Sequence, residues 1–536
     1  MKKGLWVLLV FWGLVCTAQE DAWVYFTDKP NANFYLNNPQ ILFSPRALER
    51  RANQNIALNF SDAPVEESYL EQVSALAGVT VLAKSNWMNC AHVRGSVSAI
   101  QSVLSLPFVN RIQFANKNLN STDRPHKTSK EFKISKWNAE QEFLQYGSAS
   151  NQIQQLNGHL LHQEGFTGAG KIIAVLDNGF IGVNTTQPFA RLFQNNQILG
   201  GYDFVDRDEN VYDGGSHGTM VLSTIGAYRE NELIGTAPNA SFYLFKTEAN
   251  AYENPLEESL WVEAAEMADR LGVDIISTSL GYSTFDNPNY NYTYQDMNGV
   301  TTFISRGAEL AFSKGIFCVT SAGNSGSSSW QYITAPADAI STLTVGAVNA
   351  QGNYAAFSSI GPSFDGRVKP DVVAQGVFST VVLASGQIGA SNGTSFSAPI
   401  VSGLVACLWQ ALPDKTNTEL LQIIRESGHL YSNPTAQLGY GIPNFYNALQ
   451  NNLSVESFHA LDVSLYPNPF SDKVSFYSSN AIENGSIKIW NTTGQLVFKS
   501  TLFPSESLNL SELPKGLYLY ELEQASSQFK GKLIKK

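Results

Sequence analysis

Residues 393–412 read GTSFSAPIVSGLVACLWQAL: a turn of small residues runs straight into an apolar helical stretch, with Ser395 at the helix start. The first turn of a helix carries unpaired backbone N–H groups and the positive end of the macrodipole. Oxygen gaining negative charge there is stabilised, so the position suits a nucleophile. By itself the pattern fits a serine or threonine N-cap just as well. Two further stretches decide between these readings. KIIAVLDNGF, Lys171 to Phe180, is a buried-strand run that ends in Asp177. A carboxylate just past the C-terminal end of a strand lies where open parallel sheets hold their ligands. SHGTMVLSTIGA, Ser216 to Ala227, opens a second helix of small and apolar residues with His217. Alone, His217 reads as a capped surface histidine and Asp177 as a turn residue. Together the three stretches supply an acid, a base and a nucleophile.

Their chain order is Asp, His, Ser, and the same trio occurs on unrelated folds in other orders. GTSFS also lacks the second glycine of a G-x-S-x-G elbow, because position 397 is serine. AVLDNGF, SHGT and GTSFSAP resemble the three signature blocks of the subtilisin-like serine peptidases. GIFCVTSAGNSG, Gly315 to Gly326, adds a strand ending in Ala322-Gly323-Asn324. FSSIGP (Phe357 to Pro362) and KPDVVAQG (Lys369 to Gly376) also match recurring segments of that family. The resemblance implies a three-layer α/β domain with a mostly parallel sheet. It implies Asp177, His217 and Ser395 as catalytic triad, and an oxyanion hole from the Asn324 side chain and the Ser395 backbone N–H. It implies extended substrate pairing with Ser279-Leu280-Gly281 and Ala322-Gly323. The stretch Tyr332 to Ala337, YITAPA, would form a further wall of the primary pocket. It departs from the commoner family pattern, and Thr334 is expected to narrow that pocket. Asn178 stands where the family more often has Thr or Ser, a difference that shapes the turn.

Outward from these motifs, strands and amphipathic helices alternate over residues 151–450, the expected peptidase domain. Strands are expected at IIAVLD, SFYLFKT, VDIISTSLG, IFCVTSAGN and TLTVGAV. Residues 1–18 have the basic end, apolar stretch and small-residue end of a secretory signal peptide. Residues 19–116 alternate short strands and helices, a small α+β unit; the resemblance makes it an inhibitor-like prodomain, so the enzyme would be a zymogen. Residues 117–150 are polar and read as an exposed linker. Residues 456–536 hold short strands separated by turn residues, as in an immunoglobulin-like β-sandwich. With YPNPF, NTTGQ, LPKGLYLYEL and a Lys535-Lys536 end, this stretch resembles the C-terminal sorting domain of the Bacteroidetes type IX secretion system. That implies export through the outer membrane, to the medium or the cell surface, with the secretion machinery as a partner.

The 536 residues are 43% hydrophobic, ample for packed cores. A net charge of −11 argues against nucleic acid and anionic membranes as partners. Beyond the signal no stretch is long and apolar enough for a transmembrane segment. Cys318 and Cys407 read as small buried hydrophobes, Cys90 falls in the region expected to be removed, and no disulfide framework is expected. No cofactor is evident. The acidic loop DFVDRDENVYD, Asp203 to Asp213, offers hard oxygen ligands for structural calcium but lacks a calcium-loop pattern. The function expected is therefore a secreted serine endopeptidase acting on proteins or peptides. Its alternatives are a catalytically silent surface binding protein on the same scaffold and, third, a serine esterase.

Overall fold

The computed structural model describes residues 19–120, 144–452, 463–478, 485–502, 507–524 and 527–536. The expected signal peptide, residues 121–143 of the linker and the first residues of the C-terminal domain lie outside the described residues. The chain divides into two compact units, Met1–Asn452 and Leu453–Lys536.

The first unit is built on a sheet of seven strands. In spatial order they are Val372–Gln375, Leu343–Val348, Phe317–Ser321, Ile275–Thr278, Ile172–Asp177, Ser241–Lys246 and Ile198–Asp203, every pairing parallel. Continuous Val/Ile/Leu runs suit a sheet covered on both faces, and Ile172–Asp177 is buried at every position. Side chains alternate across the sheet. Ile172, Ala174 and Leu176 join a core with Trp261, Ala265, Ile304 and Ala308 of the helices Pro255–Leu271 and Phe303–Ser313. Ile173 and Val175, fully buried, are left for the other face, where the His217–Gly226 and Thr394–Ala411 helices pack. The result is the three-layer domain expected from the sequence.

Strand order reverses around Ile172–Asp177. Its C-terminal end and those of its neighbours are therefore a switch point, where open α/β sheets bind ligands. Asp177 closes its strand there, and Ser279 and Ala322-Gly323-Asn324 follow the ends of theirs. The Thr394–Ala411 helix is apolar all round, as befits a core helix. Among the described residues it is the one helix long and apolar enough to cross a membrane, and it is almost wholly buried inside the protein.

Residues 19–120 form a four-stranded antiparallel sheet, order Val79–Ser85, Cys90–Gly95, Glu20–Phe26, Val109–Phe114, with helices Glu67–Ser74 and Val97–Ser102. This α+β unit packs on the helices Pro255–Leu271 and Phe303–Ser313. Trp23 stacks on Phe303 with centroids 4.7 Å apart, a pairing worth about 0.5–1.5 kcal/mol beyond its area. Trp23 Nε1 donates to Ser259 Oγ at 2.8 Å. The turn after the Val79–Ser85 strand receives the Glu266 carboxylate: Asn86 N and Trp87 N donate to it at 3.0 and 2.9 Å. The helix Pro45–Asn53, begun by Ser44 as N-cap and Pro45, buries Arg50 and Arg51 against Asp269, and Arg51 also pairs with Asp62 at 2.8 Å. At the ends of the expected linker, Lys117 pairs with Asp296 at 2.5 Å and Ser148 N donates to Glu232 O at 2.9 Å.

The second unit consists of two antiparallel sheets, Val463–Tyr466, Lys473–Ser478 and Leu508–Asn509 in one, and Leu496–Leu502, Gly485–Asn491, Gly516–Gln524 and Ser527–Lys535 in the other. They share a core that includes Leu465, Phe470, Val474, Ile487, Ile489 and Leu533.

Candidate active site

Asp177 ends its strand and is 2% exposed. Its Oδ1 accepts from Asn178 N at 2.8 Å, which fixes the carboxylate. His217 is the first residue of its helix, and its Nδ1 lies 2.8 and 3.0 Å from Asp177 Oδ1 and Oδ2. Gly218 permits this approach: a Cβ there would come within 2.9 Å of Asp177 Cβ and 2.6 Å of Gly179 O. The Asp177 carboxylate raises the imidazole's pKa above 6.5, against an opposing but smaller effect of burial, and Glu248 adds to the rise.

Ser395 lies in the first turn of its helix, behind Gly393, which adopts φ +149°. Asn324 Oδ1 accepts from Thr394 N at 2.9 Å and from Thr394 Oγ1 at 3.0 Å, so Nδ2 points the other way. A Cβ on Gly393 would sit 3.6 Å from both Asn324 Nδ2 and Ser395 N. Asn324 Nδ2 and Ser395 N therefore lie about one point beside Gly393, with the edge of the Phe396 ring at the same distance. Pro399, four residues beyond Ser395, has no N–H to complete the helix bond to the Ser395 carbonyl. Ser279 Oγ donates to that carbonyl instead, at 2.9 Å. In return Ser395 Oγ donates to Ser279 O at 3.2 Å. Among the described residues the Ser395 hydroxyl bonds to Ser279 rather than to His217, whose ring stands beside Phe396, centroids 5.7 Å apart. Such bonds often tighten only when substrate binds.

The segments expected to bind substrate flank this point. Leu280 and Ser279 line a cleft of about 460 Å³ with Asp177 and His217. On the other side Ala322 N bonds to Val345 O at 2.9 Å and Gly323 N to Thr394 Oγ1 at 3.2 Å. The sequence reading missed the acidic side of the cleft. Burial pushes Glu248 up to about 8 although Tyr282 Oη donates to it at 2.6 Å, and burial with Asp286 nearby pushes Glu253 to about 7. The signal was the acid-rich TEANAYENPLEE between a strand and a helix.

The acidic loop Asp203 to Asp213 is organised around a lysine. Lys246 Nζ sits 2.6, 3.0 and 3.1 Å from carboxylate oxygens of Asp203, Asp206 and Asp213, so a lysine ammonium takes the centre a cation would need. Cys90, Cys318 and Cys407 are buried free thiols. His162 is held by Tyr146 Oη and Thr236 O at 2.8 and 3.0 Å, and His429 accepts from Ile442 N at 2.9 Å; both are structural.

Comparisons with known proteins add three matches. Residues 168–442 match the subtilase family, residues 21–133 the peptidase S8 propeptide domain of Bacteroidota, and residues 464–536 a secretion system C-terminal sorting domain. Subtilisin NAT of Bacillus subtilis subsp. natto is 33% identical over 301 residues, covering 56% of this chain and 70% of that protein. Subtilisin of Bacillus pumilus is 32% identical over 301 residues, covering 56% and 98%.

Proposed function

The chain belongs to the subtilase family and is a serine endopeptidase with a propeptide and a type IX sorting domain, and on that premise we propose that it cleaves peptide bonds through Asp177, His217 and Ser395. In this reading the propeptide makes it a zymogen and the sorting domain directs it out of the cell or onto its surface. The observation that carries the reading is the placing of Asn324 Nδ2 and Ser395 N about one point, together with a histidine held by a buried aspartate.

Serine is a weak nucleophile without a base beside it. The Ser395 hydroxyl turns from the Ser279 carbonyl to His217 Nε2, gives up its proton there and attacks the peptide carbonyl. The carbonyl oxygen, now negative, receives the Asn324 amide and the Ser395 N–H. His217 returns the proton to the leaving amine, and water repeats the cycle on the acyl-enzyme. Asp177 accepts from Nδ1–H, keeps Nε2 free to act as base and stabilises the imidazolium. No metal is assigned a part in these steps. The substrates are proteins or peptides lying extended against Ser279-Leu280-Gly281 and Ala322-Gly323. A catalytically silent binding protein would need none of these groups in register.

The pH profile tests this assignment. His217 must be neutral to act, and its folded pKa is raised, so kcat/KM is expected to be full at alkaline pH. It should fall as pH drops through a value above 6.5, set by the Asp177 carboxylate. Peptide hydrolysis that stays at its plateau below pH 6 would contradict His217 as the base.

A further inference from the structure

The cleft of about 460 Å³ that holds Asp177 and His217 is also lined by Glu248, Glu253, Glu257 and Asp286, and no lysine or arginine lines it. Two of these carboxyls are built into the fold. Glu248 stands two residues beyond Lys246, the register partner of Asp177, and Thr247 N between them donates to Asp177 O at 3.0 Å. Tyr282 Oη and Thr247 Oγ1 donate to the Glu248 carboxyl at 2.6 and 2.9 Å. Tyr282 is itself held by two backbone bonds to Ala335, at 2.8 and 3.1 Å. Glu257 is 1% exposed and accepts from Ala249 N and Asn254 N, both at 3.0 Å. Each of these bonds comes from a neutral donor. Burial, and after it the neighbouring carboxyls, holds both acids above the usual carboxylate range, as befits acids with no cation to face. A cationic group entering the cleft supplies what they lack. Among the described residues no three acidic, histidine or cysteine side chains are set to hold a metal ion, which leaves a cation carried on a flexible stem.

The path of the substrate selects that stem. A peptide extended against Ser279-Leu280-Gly281 turns successive side chains to opposite sides. The residue before the scissile bond points into the gap toward Ala322-Gly323, so the one preceding it points to the His217 side, where this cleft lies. The chain carries a matching sequence of its own. Residues 124–136, in the linker between propeptide and peptidase domain, hold Arg124, Lys127, Lys130, Lys133 and Lys136 against a single acid, Glu131, in a chain whose net charge is −11. We propose that Glu248, backed by Glu257, makes this peptidase select a lysine or arginine as the second residue on the N-terminal side of the bond it cuts. The ammonium or guanidinium lies in the cleft against the Glu248 carboxylate, while its apolar stem passes Leu280. This rests on the triad reading above and deepens it to a class of substrate.

The test is kcat/KM of the mature enzyme on peptides with Ala before the scissile bond and Lys, Arg, Nε-acetyl-lysine, Met or Glu as the residue preceding it. Wild type is expected to favour Lys over acetyl-lysine and Met by about 10–100-fold, the worth of one hydrogen bond to a charged group, with Glu the poorest. Glu248→Gln should bring Lys and acetyl-lysine within about threefold of each other. Glu257→Gln, which leaves Glu248 in place, should narrow the ratio by less. Wild type cleaving all five peptides at similar rates would overturn the inference and leave the triad reading standing, as would a Lys preference that Glu248→Gln keeps intact. A mature, folded enzyme that cleaves no peptide of the series would remove the triad reading and the inference with it. Should Glu248→Gln fail to fold, the wild-type ratio and Glu257→Gln decide, and an unchanged ratio in Glu257→Gln would overturn the inference.

Discussion

Asp177→Asn is expected to lower kcat by about 10⁴ with little change in KM. The amide is nearly the same shape, but it can donate to His217 Nδ1 where the carboxylate accepts at 2.8 Å. The imidazole then carries its proton on Nε2, the atom that must take one from Ser395. A second readout separates this from general damage. Asp177 is the largest cause of the raised imidazole pKa. The residual activity should therefore lose its acid limb at a lower pH than wild type. A variant that folds, keeps wild-type kcat and keeps the limb in place would contradict the role given to Asp177.

Asn324→Leu is expected to cost about 10²–10³ in kcat, equal to roughly 2.7–4 kcal/mol of transition-state stabilisation. The substitution removes the side-chain donor that faces Ser395 N across Gly393. It also takes away the acceptor for Thr394 N and Oγ1. An unsatisfied buried donor costs about 1–3 kcal/mol, so the melting temperature should fall too. Thr394→Val, which loses the Oγ1 donor to Asn324 and the acceptor for Gly323 N, should affect stability more than kcat. Steady-state kinetics on a peptide amide and thermal unfolding of both variants check this. Equal kcat in Asn324→Leu and wild type would exclude Asn324 from the oxyanion hole.

Most of the central sheet was readable because its strands are short, continuous apolar runs closed by a functional residue. Ile172–Asp177 and Phe317–Ser321 are examples, every residue buried. The two edge strands were not read as strands. Ile198–Asp203 contains Gly200 and Gly201, which weaken a strand pattern, and Val372–Gln375 is too short to stand out within KPDVVAQG. The Pro45–Asn53 helix was overlooked because its buried face is Ala47 and two arginines, whose burial makes sense only opposite Asp269 and Asp62.

At the site, motif residues were legible one by one, since each sits at a strand end or helix start. What joins them was not. The exchange between Ser279 and Ser395, the carboxyls around Glu248, and the lysine at the centre of the Asp203–Asp213 loop all depend on residues that meet only in three dimensions. The acidic loop Asp203 to Asp213 illustrates the point. Its acidity is visible in sequence, and the cation that satisfies it is Lys246, over thirty positions away from its last member, Asp213.

The central claim, an activated Ser395 in a processed secreted peptidase, is tested most directly by labelling the secreted protein with a fluorophosphonate beside Ser395→Ala and reading intact mass. The expected result is one phosphonate adduct on wild type, carried by a species that lacks the propeptide, and none on Ser395→Ala. A processed, folded wild-type protein that takes no label, or a Ser395→Ala protein labelled equally well, would contradict it.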